Sequence, residues 1–411
     1  MGIYRIPFPF GVWEIERTSY GVKTLFTPLE EPPVFSLLEG KVIKRDPTLE
    51  GFFVDVPSFG EFFLPNKQPQ KVKVGEKILL QVSRESLEGK PPTVSTKIII
   101  PFCGCEIVLN NKSRVFFLTE KKHFEELKNW VSRWKVSLNV YNPSLCLKNL
   151  PFAEKFIRLL VRKNLKLPFL WKGIYTLLLN SCGGNIFAPS EDLCSELEPL
   201  KELFPLNINC AVKGLKKILK EVKISEIASR VFSEKFSFNG GFLLIGTTGG
   251  ITAIDINGYT SKSELNKNAL KAVAEYLNIA QIGGSIIVDL AGLKRNSNLK
   301  EDLRKLLTPL GCKVLGYTNG GLLEIICPKR TPPVKERLGL YNPVCGNVVK
   351  NNLLLVYEIL EKLLDKYTEK IIVKINPLRK GIEEELRKFT FTNLKIRFDW
   401  NIPVNNFSLE F

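Results

Sequence analysis

The chain has 411 residues, 44% hydrophobic and 10% aromatic, so it is long enough for several cores and too apolar for extended disorder. Lys and Arg outnumber Asp and Glu by 59 to 42, and the resulting net charge of +17 points to a polyanionic partner. No apolar run approaches the ~20 residues of a membrane span, and no basic-then-apolar leader opens the chain, so the sequence predicts a cytoplasmic protein.

Residues 1–35 carry strand-like runs that stop at Glu30-Glu31-Pro32-Pro33, a natural boundary. From Leu38 to about Pro101, GKVIKRD, GFFVDV, EFFLP, KILLQVS and TVSTKIIIP read as five short strands, the pattern of a small closed barrel. Such barrels bind single-stranded nucleic acid through exposed aromatic and basic side chains. Strand alternation puts Phe52 and Phe53 on opposite faces, so one is core and the other is free to face solvent. Residues 102–167 mix the strands CEIVLN and SRVFFL with an amphipathic helix over Phe124–Trp134. Further on, Lys213–Lys223 sets Lys213, Lys216, Lys217, Lys220 and Lys223 on one helical face and Leu215, Ile218, Leu219 and Val222 on the other. That basic face is either simply solvated or runs along an RNA backbone.

The one histidine, His123, lies among Glu120, Lys121 and Lys122 as on a solvated surface, which argues strongly against histidine-based catalysis. Nine cysteines without a framework spacing predict reduced thiols, and Cys103 and Cys105 are too close to form a metal knuckle. Scarce Met, His and Gln beside abundant Lys and Glu give the chain a thermophile's composition.

The chemistry is concentrated after Asn239. Gly240-Gly241 and Gly249-Gly250 bracket the strand FLLIGTT; ITAIDIN follows, and Glu264–Leu277 is predicted helical through its stripe Leu265, Leu270, Val273 and Leu277. Then come the strand SIIVDL, a helix around Leu299–Leu307, and the strands CKVLGYT and GLLEIIC. Asp255 and Asp289 stand 34 residues apart on two strands joined by one helix. That spacing predicts a parallel pair with both acids at corresponding ends. Two carboxylates so held in a basic chain suggest a magnesium site facing a polyanion. The commoner fate of a lone Asp, forming a turn at a strand end, is the competing reading. A Pro-rich linker with Pro328, Pro332 and Pro333 leads to Tyr341–Val348, and residues 349–411 supply two helices, the strand IIVKIN and two edge-like strands.

In this order the segments resemble the ribonuclease E/G family of endoribonucleases. The resemblance rests on LEGFFVDVPSFGEFFLP (Leu49–Pro65) and QVSRESLEGKPPTVSTKIII (Gln81–Ile100). It also rests on NGGFLLIGTTGGITAIDING (Asn239–Gly258), ELNKNALKAVAEYLNIAQIGGSIIVDL (Glu264–Leu290) and GGLLEI (Gly320–Ile325). PFLW after Leu167 and DWNIPVNNFSLEF (Asp399–Phe411) are similar to family segments more faintly. The resemblance implies an α/β multidomain fold. A discontinuous RNase H-like domain (1–37 and 168–235) would carry an inserted OB-fold RNA-binding barrel (38–101) and a sensor-like subdomain (102–167). A DNase I-like catalytic domain (236–331), a linker (332–348) and a small C-terminal α/β domain (349–411) would follow.

It further implies that Asp255 and Asp289 hold a catalytic Mg²⁺, replaceable by Mn²⁺, and that Asn257 helps position the reacting group. Phe53, Phe63, Lys90 and Arg114 are the implied RNA contacts. The implied activity is hydrolysis of phosphodiester bonds in single-stranded RNA, in rRNA processing or mRNA decay. A relative that binds RNA but cleaves it feebly or not at all is the alternative, and a ribosome-assembly or translation factor using the barrel alone is a more distant one. The chain also departs from the family. Asn319 stands where relatives carry an arginine that senses a 5′-monophosphate, and Val140–Ser144 (VYNPS) stands where their Arg-Thr pair falls. The cysteine pair of the family's zinc link is reduced to Cys345 in Asn342-Pro343-Val344-Cys345, unless Cys327 or Cys312 joins it. No four-cysteine zinc-linked oligomer is therefore expected, and any oligomer would form otherwise. Gly292 replaces an acid that relatives often carry three residues past Asp289.

Overall fold

The computed structural model describes residues 2–18, 21–28, 31–68, 71–87, 89–109, 113–118, 120–161, 175, 177–178, 183–203, 207–248, 250–292, 297–342, 347–363, 371–389 and 394–410. The PFLW segment and Cys345 lie outside these residues.

β1 (Gly2–Phe8), β2 (Gly11–Thr18) and β3 (Gly21–Pro28) form an antiparallel meander. The chain then builds a closed barrel from β4 (Leu37–Asp46), β5 (Gly51–Val56), β6 (Gly60–Pro65), β7 (Lys77–Arg84) and β8 (Thr93–Ser95), in the order β4-β5-β6-β8-β7. Val42, Val54, Phe62, Leu64, Leu80, Val82 and Val94 fill its interior. The barrel ends earlier than the sequence suggests. TVSTKIIIP breaks after Ser95, and β9 (Ile98–Phe102) joins the next sheet. Two glutamines cause the break. Gln68 Oε1 accepts the Thr96 N–H at 2.9 Å. Gln81 brackets Ile99, accepting its N–H at 2.7 Å and donating to its carbonyl at 2.8 Å. Side chains there take the place of ladder hydrogen bonds.

β9, β10 (Cys105–Leu109), β11 (Arg114–Phe117) and β12 (Val136–Val140) make a four-stranded sheet, with α1 (Phe124–Trp134) and α2 (Pro143–Val161) beside it. β13 (Gly183–Ala188) then returns to lie parallel to β1, followed by α3 (Glu191–Ser195), α4 (Glu198–Leu203) and β14 (Asn207–Val212). The first meander thereby becomes a five-stranded sheet ordered β14-β13-β1-β2-β3. Helices α5 (Leu215–Val222) and α6 (Ile224–Phe232) follow. Ile218, Leu219 and Val222 are buried on α5, as its apolar face predicts. Its lysine face is only partly free, because Lys213 pairs with Glu221 at 2.7 Å and lies 3.6 Å from the centroid of the Phe187 ring.

The cysteines correct the expectation of reduced thiols. Cys194 on α3 is bonded to Cys210 on β14, and Cys312 to Cys327. Their separations are 16 and 15 residues: the first bond joins α3 to β14, which meet through tertiary packing, and the second closes the antiparallel hairpin of Lys313–Tyr317 with Leu323–Cys327. Closing loops of this size restricts the unfolded chain by about 3 kcal/mol each.

β15 (Lys235–Phe238), β16 (Gly241–Thr248), β17 (Ile251–Gly258), β18 (Gly284–Asp289), β19 (Lys313–Tyr317) and β20 (Leu323–Cys327) form a six-stranded sheet ordered β15-β16-β17-β18-β20-β19. α7 (Lys262–Ala280) connects β17 to the parallel β18, and α8 (Ser297–Leu307) precedes β19. Both helices cover one face. Leu265, Leu270, Val273 and Leu277 of α7 share a core with Ile254, Ile256 and Val288. α7 also fastens to β3, where Thr24 Oγ1 donates to the Ile279 carbonyl at 2.6 Å and Gln281 Nε2 to the Thr24 carbonyl at 2.6 Å.

The linker carries α9 (Val334–Arg337) and the ribbon β21 (Gly339–Asn342) with β22 (Asn347–Lys350). Arg337 gathers the units around it. It donates to the Pro332 carbonyl at 3.0 Å, to the Phe26 carbonyl at 2.9 Å, and to the Glu85 carboxylate just past β7. Glu85 also accepts the Val34 N–H at 3.2 Å, and its own N–H donates to the Arg330 carbonyl at 2.8 Å. Burial holds the Glu85 carboxyl above its ordinary range and Arg337 below its own, with each partner opposing that shift in the other.

The last unit is α10 (Asn352–Lys362), β23 (Ile371–Ile375), α11 (Ile382–Arg387), β24 (Leu394–Phe398) and β25 (Phe407–Glu410). It packs back through α10, where Tyr357 Oη donates to the Pro7 carbonyl at 2.8 Å. It is also tied to β22, where Lys350 Nζ lies 2.8 Å from a Glu358 oxygen, with both side chains buried. Burial pushes the Glu358 carboxyl up to about 7, against the opposing pull of Lys350. A carboxyl whose folded value is raised stabilises the fold fully below its unfolded value of 4.5 and loses that contribution as pH rises to about 7. The unfolding free energy of the wild type, from urea titrations, is thus expected to fall from pH 5 to pH 8 relative to Glu358→Gln, by at most about 3 kcal/mol. Parallel pH profiles of the two proteins would contradict this.

Candidate active site

The free face of the six-stranded sheet carries the two acids. Along β17 the alternation puts Ile254 and Ile256 into the core and Asp255 and Asn257 on the open face; along β18, Val288 points in and Asp289 out. The strands pair in parallel with Asp255 directly opposite Asp289. Neighbouring strands lie ~4.8 Å apart, so the carboxylates project side by side. Both are exposed. Asn257 Nδ2 donates to Asp255 Oδ2 at 2.8 Å, fixing the carboxylate's orientation and leaving its other oxygen outward. Asp255 is interior to its strand and forms no turn, so the turn-forming reading does not apply to it. The row continues to Leu244 on β16 and Lys235 on β15.

The sheet end is held by residues to which the sequence drew no attention. Asn266, fully buried on α7, donates to the Ala291 carbonyl at 3.1 Å and accepts the Ala291 N–H at 2.9 Å. It fixes the chain two residues beyond Asp289. A polar residue beside Leu265 on an otherwise apolar stripe was the available signal. Gly292 follows in the left-handed region, at φ 64°. A Cβ there would lie 2.6 Å from Lys262 Nζ, so the ammonium occupies the space beside this position. Asp255 and Asp289 are the carboxylates able to share a divalent cation. Among the described residues no group of three or more His, Cys, Asp or Glu comes together as a metal cage.

The other sequence-derived candidates lie elsewhere. Phe53 and Phe63 face each other across β5 and β6 on the barrel's outer side, ring centroids 5.8 Å apart, while Phe62 is core. Lys44 Nζ sits 4.4 Å from the Phe53 centroid. Lys90 is exposed at the tip of the β7–β8 hairpin, close in sequence to Pro92, whose carbonyl accepts the Phe63 N–H at 2.9 Å. Arg114 is exposed at the start of β11, on a different sheet. Val140–Ser144 runs from the end of β12 into α2, and at the junction the Tyr141 and Asn142 N–H groups both donate to the Gly104 carbonyl at 2.8 Å. Asn319 is exposed in the β19–β20 turn. Cys312 and Cys327 are bonded to each other, so neither is a free thiolate for zinc, which corrects that option. A cavity of about 420 Å³ between β3 and α7 is lined by Lys23, Phe35, Glu106, Gln281 and Arg330, away from both acids. The acid pair lies on an open surface rather than in that cavity.

Residues 183–330 match the Ribonuclease E/G family. Ribonuclease G of Haemophilus influenzae is 28% identical over 159 residues, covering 34% of this chain and 32% of that protein. Over that stretch the chain is similar to the ribonuclease E/G family. The family match takes in Asp255, Asn257 and Asp289 and leaves out Phe53, Phe63, Lys90 and Arg114. About a third of the length of the ribonuclease G relative is spanned by the alignment. Among the described residues no helix is long and apolar enough to cross a membrane.

Proposed function

We propose that the protein is an endoribonuclease that hydrolyses phosphodiester bonds of single-stranded RNA at Asp255 and Asp289. The observation that carries this reading is the in-register pairing of the two acids on an exposed sheet face, with Asn257 bonded to the first. Their oxygens suit Mg²⁺, which takes few carboxylate ligands and keeps several waters, and Mn²⁺ would substitute. When bound, the cation would supply Lewis acidity and neutralise phosphate charge. Asn257 holds the Asp255 carboxylate in one orientation, and Lys262 adds a cation for the RNA backbone beyond Asp289.

In this reading the barrel is an OB-fold that feeds RNA to the site over Phe53 and Phe63. The sheet β14-β13-β1-β2-β3 is the RNase H-like domain, and the six-stranded sheet is the DNase I-like catalytic domain. The test is incubation of purified protein with an unstructured RNA in Mg²⁺ and, separately, in EDTA. Cleavage confined to the Mg²⁺ sample is expected, and its absence would reject the reading. The 5′-end sensor is weak or lost: rates on 5′-monophosphate and 5′-hydroxyl oligonucleotides are expected to differ by less than about tenfold, ~1.4 kcal/mol. A large monophosphate preference would overturn that. One observation favours a second reading, an RNA-binding protein with feeble or no cleavage: an ammonium stands beside Gly292, where relatives often have a further carboxylate. Tight RNA binding without Mg²⁺-dependent cleavage would select it.

A further inference from the structure

The acids' sheet face carries two aromatic rings that the cleavage chemistry leaves unused. Phe242 on β16 stands directly opposite Asn257, half-buried, with Lys235 Nζ 3.8 Å from its ring centroid. Tyr259 comes two residues past Asn257 and is 84% exposed. Its N–H donates to the Gly240 carbonyl at 3.2 Å, which ties the end of β17 to the turn that opens β16. Gly241 permits that approach, since a Cβ there would come within 2.2 Å of the Asn257 carbonyl. The two rings therefore stand at the same sheet end as Asn257, one across from it and one beyond it. Two residues of strand span ~7 Å, about one nucleotide step along an extended RNA. A tyrosine this exposed adds little to the core, while a ring face open to solvent is what an unpaired base stacks on, whatever the base.

We propose that Phe242 and Tyr259 stack bases of the nucleotides flanking the scissile phosphate, with Lys235 and Lys262 against the backbone. The acids would then cut at a fixed step from the stacked base. This rests on the acid pair acting on RNA. It adds a nucleobase site on the catalytic sheet, separate from the barrel aromatics.

The test walks a single abasic site through an unstructured RNA and maps cleavage by the wild type, Tyr259→Ala, Tyr259→Phe and Phe242→Ala. One abasic position is expected to raise the wild-type KM about tenfold, within the roughly 5- to 150-fold range of a lost stack. Tyr259→Ala should show that rise on intact RNA and no further loss at that position, and Tyr259→Phe should behave as wild type. Binding of 2-aminopurine-labelled RNA to Asp289→Asn reads the stack without cleavage, as quenching that Tyr259→Ala in the same background removes. Cleavage whose abasic profile is identical in the wild type and Tyr259→Ala would overturn the stacking site and leave the nuclease reading intact. Quenching that depends on Tyr259 without any cleavage would do the reverse.

Discussion

Asp289→Asn is expected to abolish Mg²⁺-dependent cleavage of an unstructured RNA, and Asp255→Asn to do the same. The fall should be at least ~10²-fold, the scale on which losing one preorganised charge-stabilising group slows a reaction. Both acids are exposed strand residues whose neighbours on either side fill the core, so a neutral isostere leaves the packing untouched. Circular dichroism and melting temperature should match the wild type. Asn257→Ala should cost less, about 10–100-fold, because it removes the hydrogen bond that orients a ligand rather than the ligand itself. The assay is single-turnover cleavage of a labelled oligonucleotide across a Mg²⁺ titration. Residual activity in Asp289→Asn equal to wild type would mean that a contaminating nuclease did the cutting. A Mg²⁺ requirement that shifts upward in Asn257→Ala would mark its effect as orientation of the Asp255 carboxylate.

Arg337→Ala is expected to destabilise the protein by about 3–5 kcal/mol, since it strands the buried Glu85 carboxylate. Glu85→Ala should cost a similar amount by stranding the guanidinium. Both side chains are less than a tenth exposed. Each also serves other groups, as Arg337 reaches the Phe26 and Pro332 carbonyls and Glu85 accepts the Val34 N–H. The pair joins the barrel, the five-stranded sheet and the linker, so its loss should loosen the units against one another before any of them unfolds. Limited proteolysis should then cut near residues 29–36 or 328–338 faster than in the wild type. Replacing both partners with apolar residues of like volume, as in Glu85→Leu with Arg337→Met, should recover much of the stability, because no unpaired charge remains. Single variants with wild-type denaturation curves would show that the units are held by other contacts.

Local periodicity carried most of the elements. The 34-residue interval between Asp255 and Asp289 is one strand–helix–strand turn, which put both acids at corresponding ends of parallel strands; the structure pairs them residue to residue. The stripe Leu265, Leu270, Val273 and Leu277 is buried as its spacing predicts, and α1 spans Phe124–Trp134 as read. What was not legible depends on partners distant in sequence. The barrel's true end follows from Gln68 and Gln81, which reach across to Thr96 and Ile99. The bond between Cys194 and Cys210 exists because α3 packs beside β14. Lys262 beside Gly292 requires the start of α7 to meet the loop after β18, and no pattern in either segment announces it. Phe242 reads as one more apolar residue of a strand until its register opposite Asn257 is known.

The two acids come off adjacent rungs of one hydrogen-bonded ladder, backed by a packed core. Their separation is therefore a property of the β-sheet, as fixed as the spacing of its strands. Asp255 and Asp289 are paired directly across β17 and β18, with no hinge between the two positions. If the pair cuts RNA as proposed, control over cutting would act before the chemistry, on whether an RNA strand is delivered to that face and in which register it lies.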